Sequence, residues 1–319
     1  MEIELIIQHG NKVYAPAVEE GITWSTERKN VPGQLTFTVI QDDVLEITEG
    51  DAVRMKVDEK NVFYGFIFKK SSEKDCKIKI TAYDQLRYLK NKDTYVYANK
   101  TASEVVKMIA GDFQMNLGTI EDTGFKIASR VENNTSLFDI IQNALDLTLY
   151  NQNYMYVLYD DFGKLTLKGL DNMRLNLVID EETGENYSYS SSIDEETYNR
   201  IKLTYDNEKT GKREVYIAQS GENIKQWGVL QYCDTLKEGE NGQAKANALL
   251  SLYNAKTRNL SIKNALGDLR VRAGSMVIVM LDLGDVKLQN LMMVEKCKHE
   301  FKESQHLMTL TLRGGEFVA

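Results

Sequence analysis

Histidine and cysteine are the residue types from which metal or nucleophilic chemistry would most readily be built, and this 319-residue chain has three of each. His9 sits in the turn-like stretch His9-Gly10-Asn11. His299 and His306 flank what reads as the last hairpin turn, where they can meet across two strands. A zinc site there would need another ligand, with Glu300 and Glu303 as the nearby carboxylates. No H-E-x-x-H pattern offers a catalytic arrangement. Cys297 and His299 are two apart, so they share one face of an extended strand. A thiol on such a face is ordinarily a small core residue, and becomes a nucleophile only when a neighbouring base activates it. There is no G-x-S-x-G elbow. Gly314-Gly315 is too short for a phosphate loop and no helix follows it. Carboxylates are numerous, but none stands in a context that marks the acid and base of glycoside cleavage. Most lie in turns such as 181–185. The expectation is a chain with no catalytic, cofactor-binding or metal-binding residues, and hence not an enzyme.

Composition narrows the class further. The 39 basic residues are scattered among 47 acidic ones, for a net charge of −8. Sequence-specific nucleic-acid binding needs clustered Lys and Arg, so it is not expected. An acidic wall would still suit a channel that DNA slides through, because like charges do not stick. Hydrophobic residues are 42% and charged residues 27%, the balance of a globular protein with real cores. No apolar run approaches a membrane span, and Met1-Glu2-Ile3-Glu4-Leu5 opens without a basic, apolar leader, so neither an anchor nor secretion is expected. Cys76, Cys233 and Cys297 are far apart and odd in number, which fits folding in a reducing compartment.

The elements follow from periodicity. Ile3, Leu5 and Ile7, then Trp24, Thr26 and Arg28, then Leu35, Phe37 and Val39, then Val53, Met55 and Val57 alternate as in half-buried strands. With 62–68 and the pair Ile78 and Ile80 they predict a small all-β barrel or sandwich over residues 1–92. Residues 83–90 read as a short helical turn closing it. Residues 93–170 read as a small α+β insert. Thr101-Ala102-Ser103-Glu104 is a capping box for a helix that Gly111 would stop, and a second helix starts near Asn134-Thr135. A hairpin follows, turning through Asp160-Asp161-Phe162-Gly163-Lys164. Residues 171–319 read as a second barrel with an extra hairpin, turning at 206–212, and an extra helix from Gln243 to about Arg258. Glu181 to Asn186 reads as an acidic turn, and Ser190-Ser191-Ser192 as a loop.

Two segments echo each other. Ile47-Thr48-Glu49-Gly50-Asp51-Ala52-Val53-Arg54-Met55 matches Val271-Arg272-Ala273-Gly274-Ser275-Met276-Val277-Ile278-Val279 at a single offset of 224. The aliphatic positions Ile47 and Val271, the glycines Gly50 and Gly274, the valines Val53 and Val277, and the apolar Met55 and Val279 all coincide. A glycine there permits a tight bend before a strand. Each segment then crosses a polar turn into an apolar strand and ends on an alternating one. Order and spacing together predict two barrels made by internal duplication.

In this arrangement the chain resembles the tail hub (baseplate hub) proteins of contractile phage tails, PBSX-like defective prophages and R-type bacteriocins. Three stretches carry the resemblance: Asn134 to Ile141 with the hairpin after it; the Ala-rich helix from Gln243 with the Val271-Arg272-Ala273-Gly274 turn; and Met293 to His299 with Thr309-Leu310-Thr311-Leu312. The resemblance implies two tail-tube-like barrels plus a small α+β domain, and a homotrimer whose six barrels form a pseudo-sixfold ring. It implies the tail tube protein, the central spike and baseplate wedge proteins as partners, with the tape-measure protein as a further candidate. It places the chain in the bacterial host cytoplasm during assembly and then in the particle. The alternatives are a tail-associated peptidoglycan hydrolase, or a hub of a non-contractile tail or a type VI secretion spike. The last usually continues into a needle of β-repeats, which this chain, stopping at Ala319, lacks.

Overall fold

A computed structural model describes residues 1–72, 75–194, 196–207, 211–236, 239–282 and 287–313. Gly314-Gly315 and positions 208–210 of the 206–212 turn lie outside them.

Seven strands build the first barrel: β1 (Ile3–His9), β2 (Lys12–Tyr14), β3 (Ile22–Glu27), β4 (Gln34–Ile40), β5 (Ala52–Val57), β6 (Lys60–Ser72) and β7 (Lys77–Tyr83). They lie in the antiparallel order β2-β1-β5-β6-β7-β4-β3. Alternation decides which side is buried: Ile7, Leu35, Phe37, Val39, Val53, Met55 and Ile80 point into one core. The short helical turn follows as a 3₁₀ turn at Gln85–Lys90, capped by Asp84. It does not close the barrel. Leu86 and Leu89 are buried in the core of the insert, because the turn packs under the helices.

The insert comprises β8 (Lys92–Thr101), α1 (Ala102–Asp112), β9 (Leu117–Ile120), β10 (Lys126–Ser136), α2 (Leu137–Gln152), β11 (Tyr156–Asp160) and β12 (Leu165–Gly169). Thr101 and Glu104 form the reciprocal capping box at the start of α1. Gly111 is not the stop. It lies in the last turn, and the left-handed residue that ends the helix is Gln114. Ser136, not Asn134 or Thr135, caps α2, and left-handed Asn153 ends it.

A 3₁₀ turn at Leu170–Met173 leads to β13 (Arg174–Ile179) and β14 (Gly184–Ser192). Ser190, Ser191 and Ser192 therefore belong to a strand, not a loop; small polar side chains suit a strand with one solvated face. Next come β15 (Arg200–Asn207), β16 (Lys212–Gln219), α3 (Gly221–Trp227), β17 (Gln231–Thr235) and α4 (Gly242–Tyr253). The three strands make their own sheet, and Ala246 and Leu249 of α4 cover it with Ile201 and Leu203. α4 ends at Tyr253, since the chain is needed in β18 (Thr257–Leu266). The last strands are β19 (Met276–Asp282), β20 (Lys287–Lys302) and β21 (Gln305–Arg313).

The second barrel has the order β13-β19-β20-β21-β18-β14, which matches β1-β5-β6-β7-β4-β3 position by position. One irregularity corresponds as well: β6 bulges against β7 between Ile67 and Lys69, and β20 against β21 between Val294 and Lys296. One pairing differs in sense, since β13 runs parallel to β19 whereas β1 runs antiparallel to β5. The barrels share one continuous sheet, because β20 pairs with β3 from Lys296↔Glu27 to Phe301↔Ile22.

Candidate functional site

Each of the two echoing segments begins with a turn held by the same hydrogen bonds. Gly50 has φ +98° and Gly274 φ +90°, a region where an L side chain is strained. The Gly50 N–H donates to the Ile67 carbonyl (2.8 Å), and the Gly274 N–H donates to that of Val294 (2.7 Å). The return bonds run from Ile67 to Asp51 and from Val294 to Ser275. Asp51 Oδ2 accepts from the Thr48 N–H at 2.7 Å, and Ser275 Oγ from the Arg272 N–H at 3.1 Å. Around these turns Ile47, Val53 and Met55 enter the first core. Val271, Val277 and Val279 enter the second.

The second turn also meets the insert. The Arg272 guanidinium donates to the Asp160 carbonyl at 2.7 Å. It lies over the rings of Tyr159 (4.6 Å) and Trp24 (5.8 Å). The Ala273 N–H donates to Thr26 Oγ1 at 2.9 Å. One arginine thus touches both barrels and the insert. A small cleft beside it is lined by Trp24, Asp84, Tyr159, Asp160, Arg272 and Ala273. Asp84 accepts from the N–H groups of Gly33 (2.9 Å) and Leu86 (3.0 Å). Burial pushes the Asp160 carboxyl up to about 6. Burial, with the Asp160 charge beside it, raises that of Asp84 as well. Nothing in the linear sequence marks these carboxylates. Arg272 had one signal: its counterpart in the other segment is Thr48, one of several positions where the echo breaks.

The seam between β3 and β20 holds the histidines. His299 Nδ1 and His306 Nε2 are 2.8 Å apart, and His299 Nε2 lies 2.8 Å from the Val271 carbonyl. A carbonyl only accepts, so Nε2 carries the proton and Nδ1 accepts from His306. Cys297 Sγ is 3.1 Å from that same Nε2. A base must accept the thiol proton, and this nitrogen is already a donor. Burial also raises the Cys297 thiol above its ordinary range, and burial and His306 lower His299 to about 3. Both remain neutral, and His299 stacks on Trp24 at 4.6 Å. Among the described residues no group of three or more His, Cys, Asp or Glu is arranged to hold a metal. His9 lies apart, with Nδ1 3.0 Å from Asp51 beneath the first turn. At the other end of the seam, Arg28 makes a two-pronged ion pair with Glu295, at 2.8 and 2.9 Å. Paired charges and stacked rings thus link the two barrels and the insert at this junction.

A pair of tube-like barrels joined in one sheet, with an α+β insert docked at their junction, is a fold of phage-type tail proteins. Over 97% of its length the chain superimposes on the 43 kDa tail protein of prophage MuSo2 from Shewanella oneidensis, covering 98% of that chain at TM-score 0.71 and 12% identity. It likewise matches prophage tail protein gp18 from Listeria monocytogenes (TM-score 0.67, 12% identity, 98% of this chain and 95% of that one). The chain belongs to the YqbQ-like family, whose model matches residues 22–313. Two Bacillus subtilis relatives, the uncharacterized protein YqbQ and the phage-like element PBSX protein XkdQ, are each 32% identical over 305 residues. Those matches cover 92% of this chain and 91% of each relative.

Proposed function

We propose that the protein is a non-enzymatic tail or baseplate hub, in which three chains form a pseudo-sixfold ring of six barrels. The observation that carries this reading is the shared strand order of the two barrels, down to the glycine turn and the bulge after it. One chain then presents two similar surfaces, so a threefold assembly can stack on a sixfold tube while binding a threefold spike. The tail tube protein, the central spike and baseplate wedge proteins are the partners this geometry suits, with the tape-measure protein as a candidate for the lumen. The particle is assembled in the host cytoplasm. Boundaries near residues 92 and 170 separate the first barrel, the insert and the second barrel with its extra hairpin and helix.

Mass measurement of the purified protein over a concentration series, with negative-stain imaging, tests the reading. Three-chain rings with six similar lobes are expected, and a stable assembly of another copy number overturns it. A zymogram tests the absence of catalysis, because clearing of peptidoglycan by the pure chain would show an active site that the neutral, hydrogen-bonded His299 and Cys297 do not provide.

A further inference from the structure

The seam inside one chain specifies how two chains meet. β3 of the first barrel is sandwiched: β4 lies on one side and β20 of the second barrel on the other. Its counterpart in the second barrel is β14, which pairs with β18 and, among the described residues, has no strand on its outer side. The counterpart of β20 is β6. After its bulge, Lys69–Ser72 pairs with β7, and the opposite edge carries no strand among the described residues. The two unpaired edges are therefore the two halves of a junction that the molecule already makes once. Unpaired edges are templates for another chain, and natural proteins cover or blunt them. β14 does neither: it is nine residues long, largely exposed, and contains no proline.

The geometry points to a second copy of this chain as the occupant: β14 of one protomer pairs antiparallel with the Lys69–Ser72 edge of the next. This rests on the ring proposed above and gives it a contact surface. The register follows from the equivalence of the two barrels. Lys69 pairs with Thr81 and Lys296 with Thr311 just after the matching bulges, so Lys69 stands where Lys296 does. From there Ala82 corresponds to Leu312, and their partners Leu35 and Leu260 correspond in turn. Trp24 pairs with Leu35 and Tyr189 with Leu260, so Tyr189 stands where Trp24 does. Inside the chain Glu27, Thr26, Ser25 and Trp24 face Lys296, Cys297, Lys298 and His299. Between chains Ser192, Ser191, Ser190 and Tyr189 then face Lys69, Lys70, Ser71 and Ser72. The contact is head-to-tail, because different edges meet, and such contacts close into rings when the rotation permits.

Two variants test it in the full chain, with Cys76 and Cys233 replaced by serine. In the first, Ser190→Cys and Ser71→Cys are combined and oxidised gently. The Arg28 N–H donates to Glu295 just beyond the internal ladder, and bonded pairs alternate from there, so Ser25 and Lys298 are a non-bonded pair. Their counterparts Ser190 and Ser71 then approach closely enough for a disulfide. Covalent three-chain species that collapse on reduction are expected. The out-of-register pair Asn186→Cys with Ser71→Cys should give several-fold less. Equal yields from both pairs, or monomer bands alone, overturn the pairing. A trimer by mass without register-selective cross-linking overturns this contact and leaves the hub intact, whereas another copy number removes the hub itself. In the second variant, Ser191→Pro deletes an outward-facing donor while its inward pairing needs none, by the same alternation. Unchanged thermal unfolding of the single chain with loss of the trimer is expected, and an undiminished trimer overturns the proposal.

Discussion

Around Gly50 an added Cβ would meet nothing within 4 Å, whereas at Gly274 it would collide with Val157 of the insert. The backbone bonds of the two turns are the same, yet Glu49 and Gly50 face solvent while their counterparts Ala273 and Gly274 are buried. One duplicated turn is thus put to two uses. In the first barrel it only starts a strand. In the second it is also the seat on which β11 and Arg272 lock the insert between the barrels. Glycine at 50 answers to φ alone, and glycine at 274 answers to φ and to space.

The comparison breaks if the two glycines respond alike. Gly274→Ala combines left-handed strain with overpacking against Val157, so a loss of roughly 2–5 kcal/mol in urea unfolding is expected. Gly50→Ala keeps only the strain, about 1–2 kcal/mol. Next in size is the pair Thr48 and Arg272, one of the positions where the echo fails. Arg272→Ala removes a charged hydrogen bond and two ring contacts, and should cost about 2–4 kcal/mol. Thr48→Ala, at the solvent-facing equivalent, should stay within about 0.5 kcal/mol. If both leave stability unchanged, Arg272 does not hold the junction.

The junction should also respond to pH in a way the first turn does not. Asp160 is raised from 3.8 to about 6 by burial. A carboxyl raised in the folded state contributes stability at low pH and loses it as pH climbs through that value. His299 has the opposite sign, since its lowering from 6.5 to about 3 removes stability as pH falls through that interval. Asp160→Asn keeps the shape and an acceptor for the Gly163 N–H, now 2.7 Å away, while abolishing the charge. Its stability relative to the parent should improve as pH rises from about 4 to about 7, read by unfolding curves at each pH. A constant difference would mean that Asp160 does not titrate in this range. The smallest shift in free energy, though the most specific, is that of the Ser190–Ser71 cross-link, which reports on register and needs no change in fold stability.

Much of the frame was legible because alternation is a local property. Leu35, Phe37 and Val39, or Val53, Met55 and Val57, can bury only one face of a strand, and the capping box at Thr101 and Glu104 satisfies its own amides. The places that misled were those where a local cue competed with a distant partner. Ser190 to Ser192 looked like a loop until β18 supplied its ladder. Gly111 looked like a stop, but Gln114 took the left-handed position. The 3₁₀ turn after β7 looked like a barrel lid, yet its leucines found the insert core. Of the junction, only the Gly50 and Gly274 turns were visible; Asp84, Asp160 and Arg272 come together, and Arg28 meets Glu295, across separations that no spacing rule spans.

By itself the sequence determined the alternating strands of the first barrel, the two glycine turns and their offset, because φ preference and side-chain alternation act over a few residues. Only the tertiary structure decided that β3 and β20 join the barrels, that Gly274 is packed while Gly50 is free, and that His299 is a neutral core residue. Those outcomes depend on which surface each segment meets, and burial and pairing are properties of the meeting.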